Sequence, residues 1–311
     1  MYLDFEKPIE ELENKIRELS ALRESKPEVQ SEIESLQKQL EATTRTIYEH
    51  LTPWQTVQVA RHPERPTIRD YIANLFTDFL ECCGDRAFGD DPAICGGFAT
   101  FERFRVMVIG HQKGKTVEDN IRCNFGMARP EGYRKALRLM QLAAKFHLPI
   151  LTFIDTSGAY PGQDAEERGQ AEAIARNLRE MSRLPTPILC IVTGEGGSGG
   201  ALGIGVGDRI LMLANAVYSV ISPEGCASIL WRDGSKAPEA AEALKLTAPA
   251  LLKLKVIDEI IPEPPGGAHR HPEATMIAVR KVLRKHLSDL KGTSIRKLLN
   301  KRYEKYANLG R

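Results

Sequence analysis

The sequence lacks several features that would place it in a specialised class of protein. Its longest apolar run, 210–221 (ILMLANAVYSVI), contains Asn215 and is shorter than the roughly 18 residues that a membrane span requires. The N-terminus is acidic and polar, without the basic start and apolar stretch of a secretory signal. The 43 Lys and Arg nearly balance the 41 Asp and Glu, so charge indicates neither a nucleic-acid nor a membrane partner. We therefore expect a cytoplasmic protein.

Cysteine is also sparse, with 6 residues in 311, and none of them forms a CxxC pair. No pair of histidines stands near them at metal-ligand spacing, so we predict free thiols, no disulfide framework and no metal site. The remaining composition, 42% apolar and 27% charged, is typical of a globular protein. At about 150 residues per domain, the length allows two domains or one large domain with extensions.

Residues 1–45 are predicted to form an N-terminal helical hairpin. Proline disrupts the interior of a helix, and Pro27 separates two apolar stripes of helical spacing, so we predict two helices joined at residues 25–27 (SKP). The stripes are Leu12, Ile16, Leu19 and Leu22, followed by Val29, Ile33, Leu36 and Leu40. Each helix has little apolar surface of its own, so the hairpin should pack on the main body or on another chain.

Residues 46–290 alternate between apolar β-rich runs and helical patterns, which indicates an α/β domain with buried strands. The predicted strands are 94–100, 105–110, 149–154, 188–192, 209–213 and 217–221. The predicted helices are 131–146, 165–181, 200–205 and 237–243. A loop at 262–267 (PEPPGG) should end this domain before the last helices.

Positive charge is concentrated near the C-terminus. Residues 280–311 contain 11 Lys and Arg against 2 acidic residues, and apolar residues recur among them at near-helical spacing. We predict helices here, with 291–311 as a basic helical tail. Its basic face could meet phosphates or an acidic partner, or could simply face solvent, and the tail alone does not decide between these.

Two loops that follow apolar strands are the strongest candidates for a functional site. They are 155–162 (DTSGAYPG) and 194–200 (GEGGSGG), the second with five glycines in seven residues. Glycine is costly in conformational entropy, so such a loop persists where the backbone needs positive φ or very close approach. Close approach would let bare N–H groups at a helix N-terminus contact a ligand oxygen.

The second loop matches two known motifs, one that binds a dinucleotide cofactor and one that presents a catalytic serine. Residues 194–199 match the dinucleotide fingerprint GxGxxG, although no acidic residue ends a following strand at the required distance. Residues 196–200 match the nucleophile elbow GxSxG, with Ser198 as the nucleophile of a serine hydrolase. The other members of a triad would then be Asp258 and either His269 or His271.

The same loop can instead act through its backbone. Amides at Gly199 and Gly200, arranged around an oxygen that gains negative charge, would form an oxyanion hole that needs glycine for close approach and no protein nucleophile. A tight packing loop without a ligand also explains the glycines. The loop alone does not separate these two interpretations.

Longer stretches of the sequence resemble the alpha subunit of the bacterial-type acetyl-CoA carboxylase carboxyltransferase. The resemblance spans about residues 46–272, with the segments in the family's order, and departs at Ser157, where the family usually has proline. The segments are 60–66 (ARHPERP), 124–128 (NFGMA), 131–140 (EGYRKALRLM), 153–162 (FIDTSGAYPG), 194–201 (GEGGSGGA), 218–231 (YSVISPEGCASILW) and 260–270 (IIPEPPGGAHR).

The resemblance implies a crotonase-like fold, a spiral of ββα units. It also implies transfer of a carboxyl group from carboxybiotin, carried by biotin carboxyl carrier protein, to acetyl-CoA, giving malonyl-CoA for fatty-acid synthesis. The implied partners are a zinc-ribbon beta subunit, biotin carboxylase and the carrier protein, in an assembly built on two alpha and two beta subunits. Biotin would be a co-substrate and not a group bound covalently to this chain, and neither nucleic acid nor membrane is expected as a partner.

By this analogy the amides of Gly199 and Gly200 stabilise an oxyanion, most simply on biotin, with Gly158 and Ala159 supporting them. The remaining biotin-binding positions are Gly196, Gly197 and Ser198. A bulky residue at either catalytic glycine should abolish transfer and leave the fold intact. Weaker candidates, for contact with the phosphates of CoA, are Arg129, Arg134 and Arg138.

Overall fold

The computed structural model describes residues 1–22 and 29–310, so the predicted linker at 25–27 lies outside the described residues. The strands are β1 (Thr77–Glu81), β2 (Ile94–Phe101), β3 (Phe104–His111), β4 (Ile150–Thr156), β5 (Ile188–Gly197), β6 (Arg209–Leu213), β7 (Val217–Ser219) and β8 (Glu259–Ile261). The helices are α1 (Lys7–Leu22), α2 (Val29–Glu49), α3 (Pro53–Ala60), α4 (Ile68–Leu75), α5 (Val117–Arg122), α6 (Pro130–Lys145), α7 (Gln163–Glu167), α8 (Gln170–Arg183), α9 (Ser198–Leu202), α10 (Pro223–Trp231), α11 (Ala237–Leu244), α12 (Ala248–Lys253), α13 (Gly267–Arg270), α14 (Pro272–Lys291) and α15 (Ile295–Ala307).

These strands form one mixed sheet in the order β1-β2-β3-β4-β5-β6-β8. The pairs β1/β2 and β2/β3 are antiparallel, whereas β3, β4, β5, β6 and β8 run parallel to one another. Every residue of β4 and β5 is buried, as expected for parallel strands with helices on both faces. The carboxyl ends of β3, β4 and β5 therefore meet at one edge of the sheet.

The predicted α/β architecture is confirmed, and all six predicted strands are present. Strand β5 runs five residues past its predicted end at 192, because Glu195, Gly196 and Gly197 pair with β7. The prediction of one continuous helix at 165–181 is wrong, because Gly169, with φ of +83°, separates two helices, α7 and α8. Strand β1 was not predicted because its largely exposed residues, TDFLE, carry no apolar alternation.

The N-terminal helices pack on the main body of this chain. Ile9, Leu12 and Ile33 are the buried apolar residues of α1 and α2. Arg270 of the main body donates to Glu13 at 2.7 Å, and within the N-terminal segment Tyr48 donates to the Glu6 carboxylate at 2.8 Å. Helix α2 continues to Glu49, so the domain boundary predicted at residue 45 falls inside a helix.

The C-terminal helix α15 lies against the sheet domain, where Leu298 joins the apolar core and Arg302 and Tyr306 make hydrogen bonds. Arg302 is fully buried and binds the carboxylate of Asp208, and the Tyr306 hydroxyl donates to the carbonyl of Gly207 at 3.1 Å. Much of the basic surface of this helix stays exposed, including Arg296 and Lys297. Within the described ranges, each helix is too short or too polar to cross a membrane.

Candidate functional site

An open cleft of about 1040 Å³ lies where the two predicted glycine loops meet, at the carboxyl ends of β4 and β5. One wall is the first loop, 157–161, and the floor contains Ser198 and Gly199 at the start of α9. The remaining walls come from residues 169–174 of α8 and its N-terminal approach, and from residues 220–224 with Arg61. Ser157, which stands where the resembling family has proline, is exposed at the rim.

Two glycines of the second loop are needed because the two loops pack backbone against backbone. A Cβ atom on Gly197 would lie 2.1 Å from the carbonyl oxygen of Ser157, and one on Gly200 would lie 2.3 Å from the carbonyl carbon of Gly158. Real Cβ contacts are essentially never under 3.0 Å. Any side chain at Gly197 or Gly200 would therefore push the loops apart.

Gly158 and Gly199 have a different environment, because the space beside them belongs to the cleft. No atom lies within 4 Å of a Cβ built on Gly158, and the nearest atom to one on Gly199 is a methyl carbon of Ile174 at 3.8 Å. Gly196, in contrast, is buried inside β5, with the ring of Tyr218 2.7 Å from its would-be Cβ. Gly196 and Gly197 thus shape the loop from within and do not line the cleft.

The backbone donors of the two loops also differ. The N–H of Gly158 already donates to the Thr156 hydroxyl at 3.2 Å. In the described part of the chain, the amides of Ala159 and Gly199 have no hydrogen-bond acceptor. The first amides of a helix have no acceptor within the helix, so a donor at Gly199 remains available to a ligand.

The hydrolase interpretation of Ser198 finds no support in the geometry. Among residues 1–22 and 29–310, the hydroxyl of Ser198 makes no hydrogen bond to a histidine or an aspartate, and neither ring nitrogen of His269 has a partner. The His269 ring stacks on that of His62 at 3.9 Å between centroids, while Asp258 accepts the Ile210 N–H at 2.6 Å and pairs with Lys305. The serine, histidine and aspartate of the GxSxG pattern are therefore not bonded to one another.

A chain of ion pairs that the sequence did not reveal lies below the second loop. Lys113 donates to the Asp155 carboxylate at 2.6 Å, and the same carboxylate accepts the backbone N–H of Glu195 at 2.9 Å. The side chain of Glu195 binds Arg61 at 2.7 Å, and Arg61 also binds Glu224 at 2.6 Å. Burial opposes the charge of Arg61, but its bonds to the two glutamates raise its pKa above the ordinary value.

The arginines considered for CoA phosphates bind groups of this chain instead. Arg134 pairs with Asp85 at 2.7 Å, and Arg138 donates to the carbonyl of Gly84 at 3.0 Å. The guanidinium of Arg129 lies over the ring of Tyr160, 4.6 Å from its centroid, next to the cleft. These residues therefore support the loops at 84–85 and 160.

His111 is the most deeply buried histidine near the site, with 1% of its surface exposed. Neither of its ring nitrogens has a partner in the part of the chain that the structure describes. Burial disfavours the charged imidazolium and lowers the pKa of His111 to about 4. In the described ranges, no group of three His, Cys, Asp or Glu side chains could hold a metal ion.

We expect His111 to make the fold less stable in acid. An unfolded histidine titrates near pH 6.5, so the unfolded chain binds more protons than the folded chain between pH 6.5 and 4, and stability falls as pH drops through that window. At pH 5 the loss is about 2 kcal/mol relative to neutral pH. Denaturant unfolding at pH 7 and pH 5 should show this loss in the wild type and a smaller loss in His111→Leu. The same pH dependence in both proteins would contradict the assignment.

The fold is similar to those of two solved structures, a transcarboxylase and a carboxylase subunit. Transcarboxylase 12S superimposes with a TM-score of 0.55 at 21% identity, covering 68% of this chain and 41% of that one. The beta subunit of P. aeruginosa geranyl-CoA carboxylase gives 0.56 at 17% identity, covering 76% and 44%. This chain thus spans less than half the length of those two proteins, and the likeness establishes the fold.

Sequence relatives identify the family. Residues 2–310 match the family described as acetyl co-enzyme A carboxylase carboxyltransferase-like, and the chain belongs to this family. It is 60% identical over 309 residues to the acetyl-coenzyme A carboxylase carboxyl transferase subunit alpha of Halalkalibacterium halodurans, covering 99% of this chain and 95% of the relative. The protein of the same name from Geobacter metallireducens is 56% identical, covering 99% and 97%. The chain is accordingly a transferase, a carboxyltransferase component of acetyl-CoA carboxylase.

Proposed function

We propose that this chain, as an alpha subunit, transfers the carboxyl group of carboxybiotin to acetyl-CoA through backbone amides of its two glycine loops. The observation that carries the proposal is the pair of unpartnered donors, Ala159 and Gly199, that belong to the two loops lining one cleft. Open space beside Gly158 and Gly199 lets an oxygen approach this backbone closely. Donors arranged in advance around an oxygen that gains charge form the usual oxyanion hole of acyl-transfer chemistry.

This assignment divides the roles of the glycines. Gly199 and Ala159 supply the donors, whereas Gly200 allows the two loops to touch and so brings those donors together. Ser198 lines the cleft beside them. Removing one oxyanion donor typically costs about 10²–10³ in rate.

The cleft fits the ureido ring of biotin, because the cleft offers neutral amide donors that can hydrogen-bond to the carbonyl oxygen of that ring. Carboxybiotin, when bound, supplies the carboxyl group that is transferred. The residues that line the cleft would hold this ring, and the amides of Ala159 and Gly199 would stabilise negative charge on its oxygen. The position of Gly158, Ala159 and Ser198 in the lining of the cleft supports the proposed biotin-binding role of these three residues.

A beta subunit, the carrier protein and biotin carboxylase are the proposed partners, in an assembly with two alpha and two beta subunits. Exposed apolar side chains, at Val220 in the cleft wall and at Ile229, Leu230 and Trp231 at the end of α10, support a protein partner here. All six cysteines lie in the described ranges and are free thiols, which fits the reducing cytoplasm where we place the protein.

The decisive experiment measures malonyl-CoA formation with and without a co-expressed beta-type subunit. We expect transfer only in the presence of the partner, and we expect it to survive in Ser198→Ala, because the proposed donors are amides. Ester hydrolysis by the chain alone that disappears in Ser198→Ala, together with no carboxyl transfer, would overturn the proposal.

Ser198→Gly is the matched variant for that experiment. Ser198 has φ of +52°, a conformation that costs a side chain of order 1 kcal/mol or more and costs glycine little. We therefore expect Ser198→Gly to be active and slightly more stable than Ser198→Ala in thermal unfolding. Equal loss of transfer in both variants would assign the hydroxyl a direct role.

A further inference from the structure

We propose that Arg61 is a positioning residue that sets the distance between the glycine-rich loop and the opposite wall of the cleft. Arg61 follows the end of α3, and its guanidinium lies between Glu195 of β5 and Glu224 in the first turn of α10. It is the one cation among the residues that line the cleft in the described structure. The kinetic part of this inference rests on the proposed carboxyl transfer.

The guanidinium of Arg61 uses four of its five N–H donors on these two carboxylates. Nε and Nη2 donate to Oε1 of Glu195 at 2.9 and 2.7 Å. Nη1 donates to Oε1 of Glu224 at 2.6 Å, and Nη2 reaches its Oε2 at 3.3 Å. A planar guanidinium with donors in a fixed arrangement specifies the separation and angle of the two carboxylates, which a single ammonium group cannot do.

Glu195 links Arg61 to the glycine-rich loop, because both the side chain and the main chain of Glu195 are held by hydrogen bonds. While Arg61 binds the side chain, the backbone N–H of Glu195 donates to Asp155 at 2.9 Å, and Lys113 donates to the same carboxylate at 2.6 Å. The side chain of Glu195 is 10% exposed and that of Arg61 is 30% exposed, so water screens this pair less than a surface pair. Glu195 stands four residues before Gly199 along the same strand and turn.

Glu224 connects the same guanidinium to the other side of the cleft. Residues 220–222, which precede α10, line this wall together with Glu224. The side chain of Arg61 therefore contacts both the strand β5, which leads to the Gly199 donor, and the wall of the cleft that contains Glu224. Since a displacement of about 1 Å can cost 10²-fold in rate, the loss of this contact should appear in catalysis.

Arg61→Ala and Arg61→Lys in the complex of alpha and beta subunits test the inference. We expect kcat to fall by about 100-fold in Arg61→Ala, with little change in the KM for acetyl-CoA, because the Gly199 donor is misplaced and not removed. Arg61→Lys should recover little, since an ammonium cannot bind both carboxylates in this geometry. Millimolar guanidinium ion should restore part of kcat in Arg61→Ala by occupying the vacated space.

Hydrogen exchange gives a second readout that does not depend on the reaction. The amides at the end of β5, where Glu195 donates to Asp155 and residues 195–197 pair with β7, should exchange faster in Arg61→Ala than in the wild type, and added guanidinium should slow them again. Arg69→Ala is the control, because Arg69 makes an exposed ion pair with Glu81 away from the cleft and should change neither readout.

Two results would overturn the inference. One is an unchanged kcat with unchanged loop exchange in Arg61→Ala. The other is a loss of activity that only matches the fraction of unfolded protein, with no response to guanidinium. Failure of the wild-type complex to transfer carboxyl groups would instead contradict the proposed function, while the exchange experiment would still decide the role of Arg61.

Discussion

Gly199→Val is expected to lower carboxyl transfer by at least about 100-fold while the protein stays folded. Gly199 is not among the residues with positive φ, and its nearest neighbour, Ile174, lies at an ordinary contact distance of 3.8 Å from a would-be Cβ. The added side chain therefore occupies the cleft and not the protein interior. It would keep an oxygen from approaching the Gly199 amide, which is the proposed donor.

The matched variant is Gly200→Val, which should fail in a different way. Its Cβ would lie 2.3 Å from the backbone of Gly158, so the two loops must separate and the fold must lose stability. This corrects the expectation that a bulky residue at either glycine leaves the fold intact. Thermal unfolding of both variants, combined with kcat/KM in the alpha–beta complex, distinguishes the two cases. An active Gly199→Val complex would rule out an oxyanion donor at this position.

The glycine loops show what sequence can and cannot provide at this site. The run of five glycines after an apolar strand correctly marked the place where the cleft lies. It did not reveal which glycines face the cleft, because that depends on the position of the 157–159 backbone. Only the packed structure separates Gly199, which borders open space, from Gly197 and Gly200, which contact the other loop.

The ion pairs around Arg61 could not be predicted from the sequence for a related reason. Glu195 and Glu224 are 134 and 163 residues away from Arg61 in the chain. No local pattern relates them, since the contact arises when α3, β5 and α10 pack together. The starts of the short helices α3 and α10, in contrast, could be predicted from local sequence. In each, a capping residue, Thr52 or Ser222, is followed by proline at the first helical position.

One arginine of the C-terminal helix α15, Arg302, is buried and is not part of the basic surface of that helix. Arg302 donates twice to the Asp208 carboxylate, at 2.9 and 2.7 Å, and its remaining bonds go to three main-chain carbonyls. These carbonyls belong to Met181, Leu184 and Thr186. In sequence, Arg302 cannot be told apart from the exposed Arg296 on the same helix, so the tail was predicted only as basic.

Arg302→Met should therefore destabilise the protein by about 3–5 kcal/mol, since it leaves the carboxylate of Asp208 buried without its cation. Arg296→Met on the same helix removes the same charge from an exposed position and should change stability by no more than about 0.5 kcal/mol. Denaturant unfolding of the two variants measures the difference. Equal stabilities would mean that the tail contributes only surface charge. If Arg302→Met is much less stable than Arg296→Met, α15 is an integral part of the sheet domain next to β6. Removing residues 291–311 would then destabilise the fold itself, before any effect on a partner.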